Sequence, residues 1–504
     1  MLCALALTLS TAWPQTRAEQ SDYHLTSTYS DVIQFLHALE EKRAPIRVEF
    51  IGQSTEGREI PRVIVADPMV ASAAEARRQG KLIVYVQANI HAGEVEGKEA
   101  ALMLLRRLGQ EHEHGQPKLL KNLVLVVNPI YNADGNEKFG PVAKNRPEQD
   151  GPDVVGLRPN GQGLDLNRDC IKAESPEMRA ALDHVYTEWD PDAMLDLHTT
   201  DGTRHGYELT YSPPLNPNTE DHIYRYSRDE LLPTVRKEIL ARKGLELFDY
   251  GNGGSANGVR VWETFGQEGR YVTNYAGLCN RVGILSEATT FIPFRARVEG
   301  TDIFVSSVLD HLARDKDRIR GWRKHVELPQ ELGVRFAMEK GRDENVIIEK
   351  LAPGEKAPLS GRPKQTERIP MQVFDRFKVT KTARVPQAYY VPADQSATIR
   401  LLLRHGIRAQ ALTAAKTGEF QQFTVTSFKQ DAGAFQGHKL IHLDGTFNAL
   451  TTTVPIGTYE VRTDQPLGGL AFHILEPESL DGAAAWGFLG ESLTGTYPIL
   501  KSKE

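Results

Sequence analysis

Cysteine is scarce in this chain. Three occur in 504 residues, and only Cys170 and Cys279 lie beyond the apolar N-terminal stretch. That is too few for a disulfide scaffold, and no C-x-x-C pair or Cys-rich knuckle suggests a thiolate metal site. The two could pair in an oxidising compartment or stay as free buried thiols. Long apolar runs are also missing: beyond the N-terminus nothing approaches the roughly 18 residues of a transmembrane helix, so stable membrane insertion is not expected. Basic charge is not in excess, since 60 Lys and Arg face 66 Asp and Glu for a net charge of -6. Without a basic stripe there is no footprint for nucleic acid. What is present is size and apolar content: 40% of residues are hydrophobic, enough for a sizeable core in roughly two to four domains.

The N-terminus is apolar over residues 2–9, and Thr16-Arg17-Ala18 offers small residues where a signal peptidase reads, although a basic leader is absent. The expectation is an export signal over residues 1–18 and a periplasmic or secreted protein, with a buried N-terminal segment as the alternative. Cys3 does not close a lipoprotein-type box, so no lipid anchor is expected.

The stretch from Lys81 to Gly97 carries the first chemical signal. Leu82 to Val86 form a β-branched and aromatic run of the length of a strand buried on both faces, and Val95 to Leu108 follow with helical spacing. In open α/β sheets ligands bind at the carboxyl ends of strands, where His91 and Glu94 fall. Alone, an H-x-x-E string also describes a solvated loop histidine beside a helix N-terminal acid. A second strand, Ala193 to Leu197, rises to His198 with Asp196 just before it. His91, Glu94 and His198 together make a His2Glu set with a fourth position open for water, as hydrolytic zinc sites require. A third apolar strand, Val282 to Ser286, ends on Glu287.

His91-x-x-Glu94, then Asn167-Arg168, then His198, then Glu287 stand in the order and approximate spacing of the zinc metallocarboxypeptidase family, the carboxypeptidase A-like enzymes. The string Asn128-Pro-x-x-Asn132-x-Asp134-Gly135 is similar to that family's loop before its substrate arginines. The resemblance covers residues 45–325, and the ending of the chain resembles the tails of long bacterial members. It implies an α/β fold with a mixed, mostly parallel central sheet flanked by helices, and a single Zn2+ held by His91, Glu94 and His198. Asn167 and Arg168 would bind the substrate's terminal carboxylate, a task suited to a planar guanidinium, whose alternative is an ion pair with Asp165 or Asp169. Glu287 would be the general base, unless Arg295 or Arg297 pairs with it. From the Pro-, Gly- and Asn-rich segment 140–167, Arg158 would polarise the scissile carbonyl, with Arg146 as runner-up. Tyr275, or else Tyr271, would cover the bound substrate.

The implied activity is a zinc metallocarboxypeptidase acting on peptides with a free C-terminal carboxylate. A zinc deacylase of N-acylated amino acids or cell-wall peptides is the alternative, and a dead binding protein is disfavoured because each catalytic residue type is present.

Residues 29–42 read as an amphipathic helix, 47–65 as a hairpin, and Ser175-Pro176-Glu177 as a capped helix start. The Gly-rich, aromatic segment 248–271 reads as a mobile loop near the cleft, and His205 as a surface or supporting residue. The catalytic domain is expected over 19–325. Beyond 326, alternating runs and Pro/Gly-rich linkers indicate a smaller β-rich C-terminal domain over 326–504, serving packing rather than substrate binding.

Overall fold

The computed structural model describes residues 12–322 and 327–503. Its centre is an eight-stranded sheet built from β1 (Ile46–Gln53), β2 (Glu59–Val65), β3 (Leu82–Ala88), β4 (Leu123–Asn128), β5 (Ala193–Thr199), β6 (Leu209–Ser212), β7 (Leu247–Asp249) and β8 (Val282–Ala288). The spatial order is β1-β2-β4-β3-β5-β8-β6-β7. Pairings β4-β3, β3-β5, β5-β8 and β6-β7 are parallel and the others antiparallel. Every residue of β3, β4, β5 and β8 is buried, which explains why these segments show continuous apolar runs rather than alternation.

Helices cover one face: α2 (Tyr29–Glu41), α3 (Glu96–Glu113) and α5 (Phe294–Arg314) pack apolar stripes on the strands. Thr28 caps α2 through a reciprocal bond with Asp31, and Ser175 caps a helix starting at Pro176, as read from the chain. The other face holds α4 (Val272–Leu278) and the segment around Leu166 to Tyr186. On this face the later part of the chain joins the same core, for Ile83, Tyr85 and Met194 share one apolar cluster with Tyr389, Leu402, Phe472 and Trp486. Residues after 326 contain most of the β-structure outside the central sheet, including the long strands β9 (Lys416–Gln430) and β10 (Ile441–Val454) of a six-stranded sheet. Cys170 and Cys279 are free thiols in the shared core.

The segment read as a loop contains regular structure instead. Asn252–Ala256 and Val259–Glu263 form an antiparallel hairpin, and the second strand pairs in parallel with Thr366–Phe374. Its alternation in Val259-Arg-Val-Trp-Glu263 is a strand signal, but its stabilising neighbour lies far along the chain.

The N-terminal segment also has a docking place. Helix α1 (Arg17–Gln20) is capped by Thr16, Ala18 is buried, and Arg106 of α3 grips Glu19 at 2.6 and 2.7 Å. The expected cleavage point after Ala18 therefore falls inside α1. Residues 1–11 of the expected signal lie outside the described residues. Among the described residues, no helix is long and apolar enough to cross a membrane.

One contact ties the helical layer to the site. A Cβ on Gly97, in the first turn of α3, would meet Leu197 Cβ at 2.7 Å and its carbonyl oxygen at 3.2 Å. Leu197 precedes His198, so α3 and β5 approach as closely as glycine allows. Gly97→Ala is expected to destabilise the protein by about 1–3 kcal/mol through overpacking, read as a lower urea midpoint. An unchanged midpoint would mean that this packing is slack.

Candidate active site

Three neighbouring parallel strands, β3, β5 and β8, deliver their carboxyl ends to one edge of the sheet. After β3, Asn89 turns the backbone at φ 64°, a conformation asparagine tolerates better than most residues. Its side-chain amide donates to the carbonyls of Ala92 and Glu94 at 3.3 and 3.2 Å. This closes the turn that presents His91 and Glu94 ahead of α3. The β5–β8 register places Glu287 directly opposite His198.

The ligating atoms of His91, Glu94 and His198 lie within 4.8 Å of one another, and all three residues are buried. His91 Nδ1 is 3.0 Å from Glu94 Oε1, His198 Nδ1 is 3.0 Å from Glu94 Oε2, and the two Nδ1 atoms are 3.1 Å apart. The outer ring nitrogens each meet a carboxylate: His91 Nε2 lies 2.9 Å from Asp165 Oδ1, and His198 Nε2 lies 2.8 Å from Asp196 Oδ2. An ionised carboxylate only accepts, so the outer acids favour a proton on each Nε2, and with zinc bound each Nδ1 would offer its lone pair inward. Convergent lone pairs beside a carboxylate repel unless positive charge sits among them. Burial disfavours charge on His198, yet Asp196 and Glu94 together raise its pKa well above the ordinary value. The donor set fits a zinc ion held by three protein ligands, each imidazole oriented from behind by an acid.

Beside the three ligands opens a cavity of about 250 Å³, lined in part by Arg158, Asn167, Arg168, Tyr250, Tyr271 and Glu287. The Glu287 carboxyl makes no hydrogen bond among the described residues. Burial pushes its carboxyl up to about 8, with His198 opposing and Glu94 and Asp201 adding to the rise. Its alternative partners are engaged elsewhere, Arg295 with Asp22 and Arg297 with Glu96 at 3.4 Å and the carbonyl of Ile292 at 2.7 Å.

Arg168 lies 4.4 Å over the Tyr271 ring and donates from Nη1 to the carbonyl of Asn167 at 2.8 Å. Its approach to Asp165 is loose at 3.9 Å, and Asp169 is taken by Lys172 and Ser175. Asn167 Oδ1 accepts the N–H of Val272 at 2.9 Å, joining this turn to α4. Arg158 reaches Glu94 at 3.3 Å and Asp165 at 2.9 Å and lines the cavity. Arg146 also reaches Glu94, at 3.1 Å, but spends its other nitrogens on Gln149 and the carbonyls of Thr199 and Thr200, behind the ligands.

Tyr275 is not in the cleft. It sits within α4, all of whose residues are buried, and its hydroxyl bonds His405 Nδ1 at 2.8 Å. Tyr271, one helical turn before it at the N-cap, faces the cavity instead. His205 is buried, its pKa pushed down to about 4, and it accepts the N–H of Tyr207 at 3.3 Å; it is not among the clustered ligands. The sequence offers Asp165 only as a partner for Arg168, yet in the fold it orients His91. The Asp165-x-Asn167-Arg168 spacing was the available signal. Burial alone would raise the Asp165 carboxyl, but His91, Arg158 and Arg168 hold it far below the usual carboxylate range.

A family model described as zinc carboxypeptidase matches residues 32–277. Carboxypeptidase 2 of Trichophyton equinum is 24% identical over 476 residues, covering 90% of this chain and 82% of that protein. Its counterpart in Trichophyton rubrum is 24% identical over 473 residues, with the same coverage. Among solved structures, a metallo-carboxypeptidase from Burkholderia cenocepacia aligns at 15% identity and TM-score 0.43, over 57% of this chain and 70% of that one. A metallo-carboxypeptidase from Pseudomonas aeruginosa, in complex with (2-guanidinoethylmercapto)succinic acid, aligns at 21% identity and TM-score 0.40, over 57% and 69%.

Asp196→Asn removes the acceptor behind His198 while leaving the ligand in place. Zinc affinity is expected to fall about 10–100-fold, measured by competition with a chromophoric chelator. Equal affinity would show that Asp196 does not orient the imidazole.

Proposed function

We propose that this protein is a zinc-dependent metallocarboxypeptidase, removing residues one at a time from free peptide C-termini, a reading supported by the match of residues 32–277 to the zinc carboxypeptidase family model and by the similarity to carboxypeptidase 2. The observation that carries this reading is a juxtaposition. One cavity joins the His2Glu set to Glu287, a carboxyl with no hydrogen-bond partner among the described residues, and to Arg168, where only Nη1 has such a partner.

The substrate's terminal carboxylate docks on Arg168, whose planar donors match two oxygens at once, with Asn167 beside it. Tyr271 supports the guanidinium face and keeps that grip in one orientation. The scissile carbonyl then lies toward Arg158, whose charge stabilises the oxyanion as it develops. When bound by His91, Glu94 and His198, zinc supplies Lewis acidity toward water and the carbonyl. Glu287 accepts a proton from the attacking water and returns it to the departing amine, and the burial that raises its carboxyl lets it hold that proton until the amine leaves. The apolar stretch at residues 2–9 supports export, with action in the periplasm or the medium.

The test uses a peptide mixture with free and amidated C-termini, digested by the zinc-loaded protein and followed by mass spectrometry. Stepwise loss from free termini alone is expected, abolished by a chelator. Glu287→Gln should slow it by about 100–10,000-fold, the usual weight of general-base catalysis. Absence of trimming by folded, zinc-bearing protein would overturn the exopeptidase reading.

A further inference from the structure

We infer that the C-terminal six-stranded sheet supplies a positioning residue to the cleft: Gln436, beyond the β9–β10 pairing, holds the Asp165–Arg168 turn that presents the carboxylate clamp. The role assigned to that clamp rests on the function proposed above.

The connection between β9 and β10 folds back into a tight turn of its own. Phe435 and His438 exchange both backbone hydrogen bonds, at 2.7 and 3.0 Å, and the two residues between them have positive φ, 50° at Gln436 and 85° at Gly437. This is the type I′ pattern, for which Asn-Gly is the economical choice. Glutamine in the left-handed region costs on the order of 1 kcal/mol or more, and such residues persist where something else holds them. Here the side chain is held: Gln436 Oε1 accepts the backbone N–H of Asp165 at 2.9 Å. A shorter asparagine would suit the turn better but reach less far.

What Asp165 does makes this contact consequential. Its Oδ1 accepts from His91 and from the N–H of Asn167, both at 2.9 Å, and its Oδ2 accepts from Arg158. His91 and Arg158 hold the Asp165 carboxylate in place, so release of its backbone N–H would loosen chiefly the Asn167-Arg168 pair that follows it. The same turn is braced on both sides. His438 Nε2 meets Glu174 at 2.9 Å, and the Phe435 and Trp486 rings lie 5.2 and 5.0 Å from the Arg270 guanidinium. The Arg270 N–H donates to Asp481 at 2.6 Å. Arg270 adjoins Tyr271, the ring on which Arg168 rests, so the later part of the chain supports both walls of the clamp.

The experiment compares wild type with Gln436→Asn, which favours the turn but lacks reach, and Gln436→Met, which keeps the length without the acceptor. KM for a peptide with a free C-terminus should rise about 3–10-fold in both, the scale of one lost hydrogen bond, with kcat within about twofold. The thermal midpoint of Gln436→Asn should be unchanged or higher. Amide hydrogen exchange across residues 158–170 should quicken in both variants and stay unchanged elsewhere. Unaltered KM and exchange would overturn the inference. So would a lowered midpoint with KM and kcat failing together, the mark of general destabilisation. If zinc-loaded wild type trims no peptide, the proposed function falls, and exchange across 158–170 alone still decides whether Gln436 holds the turn.

Discussion

Two carboxylate–imidazole hydrogen bonds, Asp165 to His91 and Asp196 to His198, constrain the rest of the cleft. They fix the orientation of each ring, so that with zinc bound each Nδ1 would face the metal. Buried ionised acids are costly unless paired and hydrogen-bonded, and each of these is answered from several sides. Asp196 takes a second bond from Gln87 on β3, and Asp165 takes bonds from Arg158 and the backbone of Asn167. The acids thus join neighbouring strands and the substrate-facing turn to the same pair of rings.

Sheet geometry then does the placing. Because β3, β5 and β8 run parallel, their carboxyl ends share an edge, and the register sets His198 and Glu287 side by side. Side chains two apart on a strand share a face, which lets Asp196 stand behind His198. Helix α3 seals the back of the site through Glu96, which binds Arg297 of α5 and accepts from the Thr199 hydroxyl. These contacts leave the inner atoms of the ligands and Glu287 facing one small cavity.

Much of this was legible beforehand, and the reasons are local. Fully apolar strands, capped helix starts and strand-terminal His and Glu residues declare themselves in single segments. The central fold and the clustered His91, Glu94 and His198 followed from them. What escaped depended on partners distant in the chain or on helical phase. Tyr271 and Tyr275 are one turn apart and equally plausible by composition; only the docking of α4 decides that one enters the core. Asp165 showed its role only once His91 stood beside it. The Gly-rich segment resembled a loop because the strand that orders its hairpin lies at Thr366–Phe374. Nothing in the Phe435-Gln-Gly-His438 turn announces that it touches the cleft.

The pairing of Val259–Glu263 with Thr366–Phe374 also bears on how the gene can be divided. A fragment ending near residue 325 would retain the whole His2Glu set, Arg168 and Glu287, and by motif would pass for a complete enzyme. It would nevertheless expose an unpaired strand edge, a ready template for association between chains. It would also uncover the apolar face now covered by Tyr389, Phe472 and Trp486. A fragment cut where the recognisable motifs stop would accordingly collect in the insoluble fraction, and comparisons between long and short relatives should not treat the additional length as a detachable module.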